Sequence, residues 1–243
     1  MTRFYYDLHI HSCLSPCADD ESTPNSILGM GELNGLGIMA LTDHNTAKNC
    51  PAFFEAAKRY SVVPVAGMEL TTAEDIHLVC LFEELSGAME FDRLVDSYRI
   101  LIPNRVDIFG NQLVCDQNDE IIGHEDNLLS NATRITIDMA PGLAGDFGGV
   151  VYPAHIDREA NGLLGVLGLF PPTPEFSCIE LHDPEKAPGI IARHRLEDKR
   201  LIISSDAHYL WDIKEPREYF ELPRGGSPEE IRRYLFEYLK GRA

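Results

Sequence analysis

Short apolar runs recur along this chain at helix-length intervals, and most of them end on His, Asp or Glu. The runs fall at 4–10, 38–42, 62–68, 76–82, 149–154, 177–181 and 201–205. Several are apolar nearly throughout, as in Ile76-His77-Leu78-Val79-Cys80-Leu81-Phe82. A strand of that kind is buried on both faces, as in a parallel sheet. Helix signals lie between the runs. Thr23-Pro24 and Ser227-Pro228-Glu229-Glu230 each combine an N-cap with Pro at the first helical position. Helices are expected at 24–34, 51–60, 88–101, 158–168, 188–198 and 228–240, with a weaker one at 136–149 that carries Pro141, Gly142 and Gly145. The alternation predicts one α/β domain over 1–243 with a mainly parallel sheet. Residues 103–131 break the rhythm: Gln112–Cys115 and Glu120–Gly123 flank Asp116-Gln117-Asn118-Asp119 as a hairpin, read as an insertion or lid.

In such folds function collects where strands end. In Asp7-Leu8-His9-Ile10-His11 the two histidines are two apart on a strand, so they face one way and Ile10 the other. Leu41-Thr42-Asp43-His44 follows the second run, and Glu69 ends the third. His77 sits inside the fourth, where a lone His is more often a satisfied core residue. His155 ends the fifth, and Asp206-Ala207-His208 follows the last. Each has a bland alternative as a polar residue at a strand end. Together they would be very costly to bury without cations. Two or three divalent ions resolve that cost, and His with carboxylate suits Zn, Mn and Fe alike.

Charge narrows the partners. The chain carries 39 acidic and 21 basic residues, a formal charge of −18. Non-specific duplex binding rests on Lys and Arg displacing counterions, so long nucleic acid is not an expected partner. An anionic membrane surface is not expected either. No apolar run approaches the roughly 20 residues of a membrane span. Met1–Asp7 meets an acid before any signal-like apolar stretch, and the six cysteines form no CxxC pair. A reducing cytoplasm is the simplest compartment.

The ordered set Asp-x-His-x-His-Ser, Leu-Thr-Asp-His, a strand-ending Glu, an embedded His, Ala-His and Ser-Asp-x-His resembles the PHP (polymerase and histidinol phosphatase) family from about residue 5 to 213. The resemblance implies a distorted seven-stranded (β/α)7 TIM-like barrel holding up to three Zn, Mn or Fe ions. It further implies that His9, His11, Glu69 and Asp206 bind the first ion. Glu69 would bridge to a second ion on His77 and His155. A third would take His44, His208 and an acid of the loop after His11. That loop is three residues longer than the common form, and counting back from Thr23-Pro24 selects Asp19, with Asp20 the alternative. The implied chemistry is phosphate-ester hydrolysis by a hydroxide bridging two cations. Glu69, His155 and Asp206 would build its site. Arg158 would meet the substrate phosphate, unless it is only a solvated Arg at a helix start. His182 would assist the leaving group or merely line the rim. The expected substrate is a small phosphorylated metabolite or nucleotide. Oligonucleotide trimming is the alternative, and a non-catalytic metal-binding module is a second.

Overall fold

A computed structural model gives the fold and describes residues 1–213, 215, 218–223 and 226–241. Ten strands and eight helices alternate along the described residues. The first half runs β1 (Thr2–Ile10), α1 (Pro24–Leu33), β2 (Ile38–Leu41), α2 (Cys50–Ala57), β3 (Val63–Thr71), β4 (His77–Phe82) and α3 (Leu85–Tyr98). The insertion contributes α4 (Val106–Phe109), β5 (Leu113–Cys115) and β6 (Ile121–His124). Then come α5 (Ala140–Gly145), β7 (Gly149–Pro153), α6 (Leu163–Leu167), β8 (Cys178–Leu181), α7 (Ala187–His194), β9 (Arg200–Ile203), β10 (Tyr219–Leu222) and α8 (Pro228–Leu239). The two cap-plus-Pro signals start helices as expected. Thr23 Oγ1 accepts from Ser26 N–H, and Ser227 with Glu230 forms a reciprocal capping box.

Six strands form one curled sheet in the order β10-β1-β2-β3-β4-β7. β8 and β9 pair in parallel beside it. The strand ladder stops on both sides of that pair, but single bonds cross the gaps. Ile156 N–H donates to Glu180 O (2.9 Å) and His11 N–H to Ala207 O (2.9 Å). The sheet departs from the mainly parallel expectation at β4, which is antiparallel to both β3 and β7. The reason is local. Only Thr72–Ile76 link β3 to β4, closed by Thr72 N–H to Ile76 O (2.9 Å). A parallel return needs a crossover of a dozen or more residues. β10 has no counterpart among the expected strands, and the helix expected over 158–168 shrinks to Leu163–Leu167.

The sheet separates two apolar clusters. Its inner face presents Tyr6, Leu8, Ile38, Ala40, Val65, Val79, Leu81 and Tyr152 to Ile231, Leu235, Phe236 and Leu239 of α8. The outer face packs Met39, Leu41, Met68, Leu78, Cys80 and Phe82 against residues such as Ile27, Phe53 and Phe91 of α1, α2 and α3. α8 therefore plugs one end of the curl. In β1 the alternation breaks. Leu8 belongs to the inner cluster and Ile10 to the outer one, although they are two apart. The β1–β2 pairing shifts register between Asp7 and Ile10. Such a shift re-aims the side chains that follow it.

The β5–β6 hairpin is not a loose cover. Leu113 N–H donates to Cys13 O (2.8 Å), Cys115 N–H to Asn49 Oδ1 (3.0 Å) and Asn49 Nδ2 to Leu113 O (3.1 Å). It buttresses the loop that follows His11, and Cys13 Sγ lies 3.6 Å from Cys115 Sγ.

Candidate metal centre

The unplugged end gathers the strand-end residues. Past the register shift, His9 and His11 face inward together. Glu69 lies two residues beyond Gly67 on the inner face of β3. A Cβ on Gly67 would meet Cys80 O at 2.6 Å, so β3 and β4 approach closely where they carry Glu69 and His77. His155 and Asp206 leave β7 and β9 with positive φ, 27° and 52°. For residues other than Gly that is a costly backbone state, and it recurs at functional sites.

Glu69 is the hub. Its two oxygens lie 2.8 Å from His77 Nδ1, 2.9 Å from His155 Nε2, 3.0 Å from His44 Nδ1, 3.3 Å from His9 Nε2 and 3.4 Å from His11 Nε2. Asp206 Oδ1 is 3.4 Å from His9 Nε2 and 3.3 Å from His11 Nε2. His9 Nε2 faces His11 Nε2 at 3.2 Å. Tetrahedral ligands bound at about 2.1 Å stand about 3.4 Å apart. The three edges among His9, His11 and Asp206 fall between 3.2 and 3.4 Å, and Glu69 stands beside them with Oε1 3.3 Å from His9 and Oε2 3.4 Å from His11. His44 Nδ1 and Asp206 Oδ1 are buried without a hydrogen-bond partner, although charged neighbours stand close. Close approach without hydrogen-bond geometry suits donors that converge on a cation. Among the described residues three groups could each hold one: His9, His11, Glu69 and Asp206; His44, Glu69 and His77; His11, His44 and His208.

Titration in the metal-free chain follows burial and charge. Burial, with the His11 charge, pushes His44 down to about 4 and His208 down to about 3. For His11 burial also opposes the charged form, but bonding to Asp206 and Glu69 outweighs it and lifts the group to about 9. His9 is likewise held high by Glu180, Glu69 and Asp206 against burial.

The structure thus gathers eight of the nine expected ligands. His155 meets the cluster through Glu69. Asp19 does not join it. Its Oδ1 accepts from Glu21 N–H (2.8 Å), while its own N–H donates to His208 O (3.0 Å). Asp20 accepts from Asn111 Nδ2 (2.7 Å). His11 completes the third group instead. Arg158 joins the centre to the rim, with Nη1 2.6 Å from Asp206 Oδ2 and Nη2 3.2 Å from His182 Nδ1.

Two buried supports escaped the sequence reading. Glu180 Oε1 lies 2.9 Å from His9 Nδ1 and accepts from His155 N–H (3.1 Å), orienting residues of two strands at once. The signal for it was an acid at an inward position of an apolar strand, two residues after Cys178. Ser15 Oγ lies 2.9 Å from His11 Nδ1 and donates to Asp43 Oδ1 (2.7 Å). Asp43 also accepts from Ser12 N–H and Ser12 Oγ, both at 2.7 Å, which makes it a loop anchor.

Two cavities meet at Arg158 and Asp206. One of about 330 Å³ opens over His44, Glu69, His77, His155 and His208. The other, about 510 Å³, runs past Asp7, His182 and Ser205 to Asp212.

Residues 7–168 match the PHP domain, and the chain belongs to that family. The family is one of hydrolases acting on phosphoester bonds. A stretch of 91 residues is 31% identical to the error-prone DNA polymerase of Symbiobacterium thermophilum, covering 37% of this chain and 8% of that protein. The lesion-specific endonuclease Q of Pyrococcus furiosus shares the fold at TM-score 0.67 and 19% identity, over 100% of this chain and 57% of its own. Endonuclease Q in complex with a 27-mer duplex carrying an abasic lesion at the active site superposes at TM-score 0.65 and 18% identity, with the same coverage. The chain therefore spans little more than half of these endonucleases.

That complex corrects one expectation. Net acidity does not exclude long nucleic acid for this fold. Whole-chain charge governs non-specific counterion release, whereas a strand at the site meets the local field, which bound cations dominate. No helix among the described residues is long and apolar enough to cross a membrane.

Proposed function

We propose that this chain is a metal-dependent phosphoesterase whose centre is the Glu69 cluster. The convergence of His9, His11 and Asp206 donors at 3.2–3.4 Å, with the Glu69 carboxylate against both histidines, carries the reading. His44 and His77 would hold a second ion with Glu69, His155 would complete its set, and His208 would serve a third. Divalent ions in such a site lower the pKa of water and neutralise phosphoryl charge. The side chains do the rest. Glu180 fixes the His9 ring so that Nε2 points at the cluster. Arg158, tied to Asp206 and half exposed on its other side, offers its guanidinium to phosphoryl oxygens. His182 is pushed down by burial and by Arg158, which favours its neutral ring. With Nδ1 facing Arg158, its Nε2–H is left to donate to a leaving oxygen. On the same proposal β1, β2, β3, β4, β7, β8 and β9 are the seven barrel strands, β10 is an outer addition, and residues 1–243 act as one domain.

The proposed substrate is a small phosphorylated metabolite or nucleotide. Phosphodiester cleavage in a polynucleotide is the second reading, favoured by the DNA complex of endonuclease Q. Glu69→Gln and His155→Ala test the site. Both should lower metal content by elemental analysis and abolish hydrolysis of a generic aryl phosphate with Mn supplied. Full metal loading in both variants would overturn the assignment. Full loading of the wild-type chain with no turnover on monoesters or diesters would turn it into a binding module.

A further inference from the structure

We propose that Tyr209 and Trp211 form a stacking platform for a nucleobase of the substrate, beside the metal centre. The placement of the phosphate rests on the phosphoesterase reading. Trp211 is the sole tryptophan of the chain, and it is 66% exposed; Tyr209 is 38% exposed. Their rings are stacked, with centroids 4.9 Å apart and planes 17° apart. The pair follows His208 directly, so the Trp211 Cα lies within about 11 Å of the His208 Cα along the chain.

The segment that carries the rings is built in. The His208 carbonyl accepts from Asp19 N–H (3.0 Å) and Ser22 Oγ (3.3 Å), and Asp212 N–H donates to Tyr209 O (2.9 Å). Leu210 packs on the outer core and Ile213 is buried in it. Leu210 and Ile213 thus anchor the segment while the two rings stay outside. The same segment bounds both cavities, with His208 in the smaller and Asp212 in the larger.

A stacked, half-solvated aromatic pair on a fixed segment offers a flat face at no ordering cost. Every base has a π-face, so stacking is tolerant of sequence and needs no positive charge. That suits a chain of formal charge −18, for which counterion release is a weak source of affinity. The ligand class is therefore a phosphate ester that carries a base, either a mononucleotide or a nucleotide within a strand.

The lone tryptophan supplies the assay. Zn-loaded protein is titrated with AMP, with ribose 5-phosphate and with an oligothymidylate while Trp fluorescence is read. AMP or the oligothymidylate should quench it, and ribose 5-phosphate should not. Quenching by AMP assigns a mononucleotide, and quenching by the oligomer alone assigns a strand. In kinetics with the same compounds, Trp211→Leu and Tyr209→Leu should lower kcat/KM for the base-bearing substrate roughly ten- to hundredfold. Ribose 5-phosphate should be unaffected, and Trp211→Phe should restore most of the loss. Equal behaviour of base-bearing and base-free esters would overturn the platform. So would a change of oligomeric state in Trp211→Leu, which would make the pair a protein contact. If no ester is hydrolysed but AMP still quenches and ribose 5-phosphate does not, the phosphoesterase reading falls and the platform stands.

Discussion

Glu180 offers the sharpest test of how the centre is held. Its Oε1 serves two groups, the His9 ring nitrogen and the His155 backbone N–H, at 2.9 and 3.1 Å. Both are buried, so Glu180→Ala leaves two donors unpaired. Each such loss costs about 1–3 kcal/mol. Removing a carboxylate behind a metal-binding His weakens metal affinity by about 10- to 100-fold in general. Glu180→Ala should reach the upper end because two strands lose their tether. Glu180→Gln keeps an acceptor oxygen and loses only the charge, and should stay near the lower end. The assay is competition for Zn against a chelator of known affinity, with thermal unfolding of the metal-free protein in parallel. The metal-free Glu180→Ala chain should also unfold earlier, because its unpaired donors remain buried. Wild-type Zn affinity in Glu180→Ala, beside lost affinity in His9→Gln, would refute the orienting role. The carboxylate would then be a spectator of the site.

Three further outcomes follow from the geometry. Gly67→Ala puts a methyl 2.6 Å from Cys80 O, so β3 must move from β4; metal affinity should fall about tenfold or more, measured by the same competition. Asp43→Ala removes the acceptor of three buried bonds from Ser12 and Ser15, at on the order of 3 kcal/mol; Tm should drop by about 6–12 °C in calorimetry, and an unchanged Tm would count against the loop anchor. Metal uptake should release protons. His11 titrates at about 9 in the metal-free chain, so it is charged at pH 7.5 and must lose its proton to ligate. Affinity should therefore rise with pH toward about 9, and calorimetry in buffers of different ionisation enthalpy should count at least one proton released; a count of zero refutes the shift.

Most of the candidate ligands were legible because they stand at the end of an apolar run, where composition changes abruptly; His77, inside its run, was drawn in only by the company of the others. Glu69, His155 and Asp206 needed nothing more than that. Asp19 was placed by counting along a lengthened loop, and counting cannot foresee an Asx turn that commits the carboxylate to Glu21 N–H. Glu180 was hidden because the four residues Cys178–Leu181 are too short to display a period. The direction of β4 was legible but unread: the expected runs 62–68 and 76–82 already leave too short a link for the dozen or more residues of a parallel crossover. Strand β10 escaped because Tyr219–Leu222 is short and carries two acids in its neighbourhood, Glu218 and Glu221, with no long apolar run to announce it.

The register shift in β1 has a consequence for how this strand tolerates change. Alternation normally binds odd and even positions into one frame, so that whatever faces the core upstream dictates what faces it downstream. Here Leu8 and His9 sit on either side of a frame boundary. The half of β1 that fills the plugged interior and the half that presents imidazoles are out of phase with one another. Straightening the ladder there without removing a residue would keep Tyr6 and Leu8 in the interior, yet turn both histidines to the outer face. Grafting His9 and His11 onto a regular strand by matching odd to odd would fail for the same reason. The irregular ladder is the coupling that lets one strand be core at one end and ligand at the other.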